Sequence, residues 1–190
     1  MSFHHVALAT TDLAATHEFY TAAMGFTLAK IVVNPTPEGG WAKHVFYDTA
    51  RHDGEAPGMI AFWELHGEYP EFDPALSRSI GLPDWVNHLA FSAHDEEHLA
   101  AALDRWLDHG HEAVEIDHEF CRSIYTNDPN GTLVEWCLDT RPLDESDRRR
   151  ALEAIFDPTP SHDGLPSGFR VHEPRTGATR PQPTADVALG

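Results

Sequence analysis

The sequence predicts an α+β fold, with two tandem βαβββ modules that form a curved, cup-like mixed sheet, followed by a helix and an extended arm. Two observations support this prediction. Apolar segments between about residues 3 and 66 follow the order strand, helix and three strands, and the same order returns between about residues 86 and 139. We therefore expect one domain over residues 1–139 and a distinct C-terminal region over residues 140–190.

The first module begins with a predicted strand over residues 3–10. Asp12 is placed to cap a helix over residues 13–24, and Gly25 follows where that helix should end. Three further strands are predicted where β-branched and aromatic residues are concentrated, at residues 26–33, 44–48 and 59–65.

The second module follows a connection, residues 66–84, that contains three prolines. Asp95 is placed to cap a helix that runs to about residue 109, and Gly110 ends it. Four strands complete the module, at residues 86–93, 111–118, 121–127 and 132–138.

The C-terminal region differs in composition from the two modules. Residues 144–156 are predicted to form one charged helix. Residues 157–190 are rich in Pro, Gly, Thr and Ser and have little apolar patterning, so they should form an extended arm that wraps another surface or is partly disordered.

Composition restricts the function classes. No apolar run approaches the roughly 18 residues of a membrane span, and the first residues lack a signal-peptide pattern, so we expect a cytoplasmic protein without a membrane partner. With 31 acidic and 13 basic residues, the net charge of −18 repels nucleic acid and favours a small-molecule partner. The two cysteines are expected to be thiols.

Two histidines occupy matching positions in the repeat. His5 precedes Asp12 by seven residues, and His88 precedes Asp95 by the same seven, which indicates an internal duplication. On each opening strand the histidine shares its face with small residues, while bulky residues occupy the other face. The small faces leave room for a bound group.

Glu135 supplies a carboxylate on the last strand. A turn signal at residues 128–131 precedes it, and strand alternation places Glu135 on one face with Leu133 and Cys137. Such a carboxylate is costly to bury unless it is paired, protonated or metal-bound. Together with His5 and His88 it would form a two-histidine, one-carboxylate set, which suits non-haem Fe(II) and also accepts Mn, Ni or Zn.

A longer motif surrounds Glu135. An aliphatic residue, His, Tyr, Asp-Pro, Gly and Glu follow one another at fixed spacing, in Ile116, His118, Ile124, Tyr125, Asp128, Pro129, Gly131 and Glu135. By this motif the chain resembles the type I extradiol ring-cleavage dioxygenases of the vicinal oxygen chelate superfamily, over about residues 3–139. Its length is similar to that of the small one-domain members that act on biphenyl-2,3-diol and related catechols.

The resemblance implies a site and a reaction. His5, His88 and Glu135 fall where the family places its Fe(II) ligands, and His118 and Tyr125 fall where it places groups that hydrogen-bond a bound catecholate. The expected activity is an oxidoreductase reaction that cleaves the aromatic ring of a catechol with both atoms of O2. Homo-oligomers are common among such small proteins.

One family feature does not match. A further acid-base histidine would fall near Phe62 in the repeat, and the nearest candidate is His66 at the end of the same strand. Glu64 shares the Phe62 face and would instead suggest a fourth metal ligand, as in a glyoxalase-like lyase or isomerase. A third possibility, a non-enzymatic protein that sequesters a drug, does not need the metal ligands.

The sequence does not identify the residues that line the substrate pocket. Five apolar side chains could line an aromatic pocket, although core packing explains each equally well: Phe26, Trp41, Phe62, Trp85 and Phe120.

Overall fold

The computed structural model describes residues 3–49, 58–162, 164, 166–175 and 177. The strands are β1 (His5–Thr10), β2 (Thr27–Pro35), β3 (Trp41–Asp48), β4 (Met59–His66), β5 (His88–Ser92), β6 (Ala113–Asp117), β7 (Cys121–Asn127), β8 (Leu133–Asp139) and β9 (Ser167–His172). The helices are α1 (Leu13–Glu18), which continues as a π-helical turn (Phe19–Ala23), α2 (Glu96–Asp108) and α3 (Glu145–Ile155), and Arg78–Ile80 form a 3-10 turn.

The strands form two mixed sheets rather than one continuous sheet. The first has the order β1-β4-β3-β2 and the second the order β5-β8-β7-β6-β9. In each module the opening strand pairs in parallel with the last strand, β1 with β4 and β5 with β8. The α+β class and the repeated βαβββ order are thus confirmed. The sequence also predicts a loop over residues 49–58, between the third and fourth strands, and residues 50–57 of it lie outside the described residues.

Side-chain caps explain where the helices begin. The Asp12 carboxylate accepts from the Ala15 backbone N–H, and Asp95 accepts from the N–H of His98. Asp144 and Asp147 form a capping box at the start of α3. All three helices predicted from the sequence are therefore present, with the first one changing to π-helical geometry after Glu18.

One core lies between the inner faces of the two sheets. Tyr20 packs against Phe62 from the first sheet, with ring centroids 4.7 Å apart. Phe26 packs against Phe91 and Trp136 from the second, at 5.0 and 6.0 Å. These aromatic contacts place the helices and the bulky strand residues in a single apolar cluster.

A buried polar network also joins the modules. Tyr20 donates its hydroxyl to Asp128, which further accepts from the backbone N–H groups of Asn130 and Thr132. Asn130 in turn bonds Thr10 and Thr16 of the first module. Burial raises the pKa of Asp128 despite these hydrogen bonds. The turn that precedes Glu135 is therefore fixed from both modules.

The C-terminal region adds to the second sheet. Strand β9 pairs antiparallel with β6, so part of the predicted arm forms an additional strand. Arg175 binds Asp104 and Asp108 of α2, which fixes the chain after β9. Residues 178–190 of the predicted arm lie outside the described residues. None of the helices in the described ranges has the length and apolar composition needed to cross a membrane.

Candidate functional site

Four predicted site residues lie together on the second sheet. His118 Nε2 is 2.8 Å from the Tyr125 hydroxyl, which donates to Glu135 Oε1 at 3.1 Å. Glu135 Oε2 lies 3.1 Å from His88 Nε2. The side chains form a continuous chain, His118–Tyr125–Glu135–His88.

Strand register produces this arrangement. Ala90 lies opposite Glu135 in the β5–β8 ladder, and Tyr125 lies opposite Glu135 in the β7–β8 ladder. Paired residues point to the same face, so His88, two residues from Ala90, joins them. The alternation predicted around Glu135 is confirmed, because Val134 and Trp136 on the other face are buried in the core.

Burial controls the chemistry of Tyr125 and Glu135. The Glu135 side chain is 6% exposed, whereas His88 is 37% exposed. Burial, followed by the nearby Glu135 charge, raises the pKa of Tyr125 well above its ordinary value. The phenol is therefore protonated, and its proton goes to Glu135. Because that proton is used, His118 Nε2 must donate its N–H to the phenol oxygen.

His5 lies on the first sheet. Its ring contacts Phe46 and His44, with centroids 5.4 and 6.2 Å apart, and its Nδ1 is 2.9 Å from that of His4. The His5 and His88 faces both point away from the shared core, and Ala7 and Ala90 beside the two histidines are exposed. A single chain therefore does not bring His5 to Glu135.

The donor set fits a divalent metal only in part. Metal–ligand distances near 2.1 Å place neighbouring ligand atoms roughly 3 Å apart, and His88 Nε2 and Glu135 Oε2 have a separation of 3.1 Å. Tyr125 orients the second carboxylate oxygen, as outer partners of metal ligands do. Within the described ranges, however, no group of three or more His, Cys, Asp or Glu side chains is placed to hold a metal ion.

Aligning residues 59–63 of the first module with residues 132–136 of the second by sequence pairs Phe62 with Glu135, and the structure corrects this pairing. Ala61 lies opposite Ala7 in the first module, as Glu135 lies opposite Ala90 in the second, so the equivalent residue is Ala61. The assignment from sequence was displaced by one residue. Phe62 is instead a fully buried core residue.

His66 and Glu64 lie on the Phe62 face, away from His5. His66 stacks on Trp41 with ring centroids 3.8 Å apart, and its Nε2 is 2.8 Å from Glu64 Oε2. Glu64 also accepts from Lys43 at 2.6 Å and from the Leu13 backbone N–H. The structure does not place His66 with the other candidates, so we remove it from the proposed site.

His44 is the histidine that the sequence analysis missed on the His5 face. It lies opposite Trp63 in the β3–β4 ladder and stacks on it at 3.7 Å. Its Nε2 atom is buried without a hydrogen-bond partner in the described part of the chain. Burial and then the neighbouring His5 lower the pKa of His44. The β3–β4 register places His44 on this face, and the sequence alone does not give that register.

The five aromatic pocket candidates separate into different environments. Phe26 and Phe62 belong to the core. Trp41 stacks on His66, and Trp85 is 69% exposed. Phe120 lines a cleft beside His118.

A comparison with one solved structure agrees with this architecture. A glyoxylase/bleomycin resistance protein/dioxygenase domain from Frankia sp. EAN1pec aligns with a TM-score of 0.56 and 16% identity, covering 73% of this chain and 98% of that one. TnmS3, an antibiotic binding protein from Streptomyces sp. CB03234, aligns with a TM-score of 0.49 and 16% identity over 74% and 97% of the two chains. At 16% identity, the alignment with the Frankia domain shows the fold alone.

A further solved structure is lactoylglutathione lyase from Agrobacterium tumefaciens, with a TM-score of 0.44 and 19% identity over 72% of this chain and 92% of that one. No curated protein matches the sequence. The family model described as Glyoxalase/Bleomycin resistance protein/Dioxygenase superfamily matches residues 2–136, and these residues include the first module, the second module up to the middle of β8, and every candidate metal or catalytic residue described above. The chain belongs to the glyoxalase/bleomycin resistance protein/dioxygenase superfamily, the vicinal oxygen chelate proteins.

Proposed function

We propose that the protein is an Fe(II)-dependent extradiol dioxygenase that cleaves a catechol with O2. One observation carries the proposal, the chain of contacts from His118 through Tyr125 to Glu135. It places two groups able to bond a substrate hydroxyl directly beside a buried carboxylate that pairs with His88.

His88 and Glu135 would hold the metal ion in this proposal. When bound, Fe(II) acts as a Lewis acid and provides one centre at which a catechol and dioxygen meet. Tyr125 keeps Glu135 oriented by its 3.1 Å hydrogen bond, so that Oε2 is directed toward His88.

His118 and Tyr125 would act on the substrate. His118 holds a proton at Nε2, the atom that faces the Tyr125 oxygen. A catechol hydroxyl can donate to the remaining lone pair of the Tyr125 oxygen, or replace that oxygen as the acceptor of the His118 N–H. Histidine exchanges protons near neutral pH, which suits the return of a proton to a substrate oxygen.

His5 would come from a second copy of the chain. Both histidine faces are exposed, and the described residues of one chain do not gather three ligands. Packing the His5 face of one copy against the His88 face of another would complete the set and cover both surfaces. A homo-oligomer with composite sites follows from this arrangement.

A glyoxalase-like reaction is the second candidate, and it has less support. A fourth metal ligand in the first module would be expected at the position equivalent to Glu135, which is Ala61. Glu64 is bound to Lys43, His66 and the Leu13 N–H on the other face. A drug-sequestering role would explain the small residues on the sheet faces, which leave room for a bound group. It gives no reason for the buried Glu135–His88 pair.

Oxygen consumption tests the proposal. Anaerobically prepared, iron-loaded protein is mixed with oxygenated buffer and a panel from catechol to biphenyl-2,3-diol. We expect O2 uptake and a yellow ring-opened product with at least one catechol. Absence of uptake across the panel, together with turnover of a glutathione hemithioacetal, would assign the glyoxalase-like function instead.

A further inference from the structure

A cleft opens between the β6–β7 loop and helix α3, beside His118. Its volume is about 930 Å³, and His118, Phe120, Leu143, Ala151, Ala154 and Pro166 contribute to its lining. This volume lies in the range of small-molecule sites. Helix α3 and Pro166 lie beyond residues 2–136, which the family model matches, so this wall belongs to the chain's own C-terminal region.

Arg141 connects the two sides of the cleft. Its guanidinium binds Glu119 in the loop through Nε and Nη2, each at 2.8 Å, and binds Asp147 of α3 at 2.7 and 2.8 Å. Glu119 adopts a left-handed backbone with φ of 75°, which is unfavourable for a residue with a side chain. The loop conformation therefore depends on contacts such as the one with Arg141.

The charged residues of the lining are three carboxylates and two guanidinium groups, so the cleft carries no net positive charge: Asp117, Glu119, Asp147, Arg141 and Arg150. Both carboxylates beside Arg141 satisfy its donors, so an anionic group gains little there. The apolar lining residues remain uncovered, since Phe120 is 39% exposed and Leu143 is 67% exposed. The chemistry of the lining favours a neutral, apolar occupant.

Two of the four side chains that helix α3 presents to the cleft are alanines. Asp147, Arg150, Ala151 and Ala154 recur at helical spacing along the lining side. Leu152 is 61% exposed and does not line the cleft. The two alanines create space that a larger residue at either position would fill.

The cleft is continuous with the proposed site through His118, which lines it and contacts the Tyr125 hydroxyl. We propose that this cleft binds the part of the substrate remote from its diol, a neutral apolar substituent such as a second aryl ring. The inference rests on the proposed function, because the diol end is placed at Tyr125. Helix α3 would then determine which substituted catechols the protein binds.

Filling the cleft tests the proposal. Ala151→Trp and the matched control Leu152→Trp are compared with wild type by calorimetric titration of the iron-loaded protein under anaerobic conditions, with biphenyl-2,3-diol and catechol. Ala151→Trp should raise the Kd for biphenyl-2,3-diol at least about tenfold, and the Kd for catechol less than about twofold. Leu152→Trp should change neither.

Three results would overturn the proposal. The first is a biphenyl-2,3-diol Kd in Ala151→Trp that equals the wild-type value. The second is an equal increase in the Kd values for biphenyl-2,3-diol and catechol in Ala151→Trp. The third is an increase in the biphenyl-2,3-diol Kd in Leu152→Trp as large as that in Ala151→Trp. A changed oligomeric state with unchanged Kd would instead make the cleft a contact between copies. If Ala151→Trp does not fold, Phe120→Ala replaces it, and the same selective loss is required.

The titration also separates this inference from the proposed function. It needs no turnover, because oxygen is absent. Selective loss of biphenyl-2,3-diol binding in a protein that consumes no O2 would support the cleft and reject the dioxygenase. Uptake of O2, together with equal biphenyl-2,3-diol Kd values in wild type and Ala151→Trp, would support the dioxygenase and reject the cleft.

Discussion

His88 Nε2 and Glu135 Oε2 lie 3.1 Å apart on the exposed face of the second sheet. Glu135 is almost fully buried there, and Tyr125 donates to its other oxygen. A buried carboxylate with one hydrogen-bond donor and one imidazole partner is suited to a cation. The same face does not include His5, which lies on the first sheet.

Mixed oligomers test the composite site. His5→Ala and Glu135→Ala should each abolish iron retention. In mixed dimers of the two variants, purified by two different tags, one site of two is intact, so they should retain about half of the wild-type iron. Metal analysis gives the result without any assay of activity.

His66→Ala is the control for this experiment, because His66 lies on the opposite face with Trp41 and Glu64. It should retain iron as the wild type does. If the mixed dimers retained as little iron as the single variants, the composite site would be wrong. His5 and Glu135 would then belong to one centre within a chain, or to no common centre.

Tyr125→Phe tests the substrate role of the phenol. The variant keeps the aromatic ring but removes the donor to Glu135 and the acceptor for His118. Iron content should be retained, while kcat falls about a hundredfold, the order expected for loss of one positioned acid-base group. Wild-type turnover in Tyr125→Phe would remove Tyr125 from the mechanism.

Glu64 should contribute to acid stability. Burial alone would raise the pKa of Glu64, but hydrogen bonds from Lys43, His66 and the Leu13 N–H lower it below its ordinary value. Because the folded pKa is depressed, the stabilisation is present above the unfolded pKa and is lost as pH falls through the folded pKa.

Glu64→Gln should therefore be less stable than wild type by roughly 0.5–1 kcal/mol at pH 7, and the difference should vanish in acid. Urea unfolding between pH 7 and pH 3 measures this. A difference that stays constant over that range would show that the carboxylate charge is not the cause.

Cys121 should be unreactive in the folded protein. Burial, and then its neighbour Cys137, raises the pKa of Cys121 to about 12. At pH 8 only about one thiol in 10⁴ would be ionised. Alkylation followed by peptide mass spectrometry should label Cys121 only after unfolding, and equal labelling of native and unfolded protein would contradict its burial.

The periodic features of this chain could be predicted from the sequence. Asp12 and Asp95 cap their helices as expected, and the faces of His88 and Glu135 follow from strand alternation. These features depend on neighbours along the chain, and local patterning is sufficient for them.

The failures concern relations between strands and between modules. The shift from Phe62 to Ala61 depends on the β1–β4 register. The position of His44 on the His5 face depends on the β3–β4 register. A one-residue shift moves every side chain to the other face. The pairing of β9 with β6 likewise depends on a distant strand edge, which composition does not reveal.

Isotope labelling tests the central claim most directly. Iron-loaded protein is supplied with ¹⁸O₂ and the best catechol of the panel, and the ring-opened product is analysed by mass spectrometry. The account predicts a product that carries both labelled oxygen atoms and one O2 consumed per catechol. Intact catechol, or a product without label, would contradict extradiol cleavage at the His88–Glu135 site.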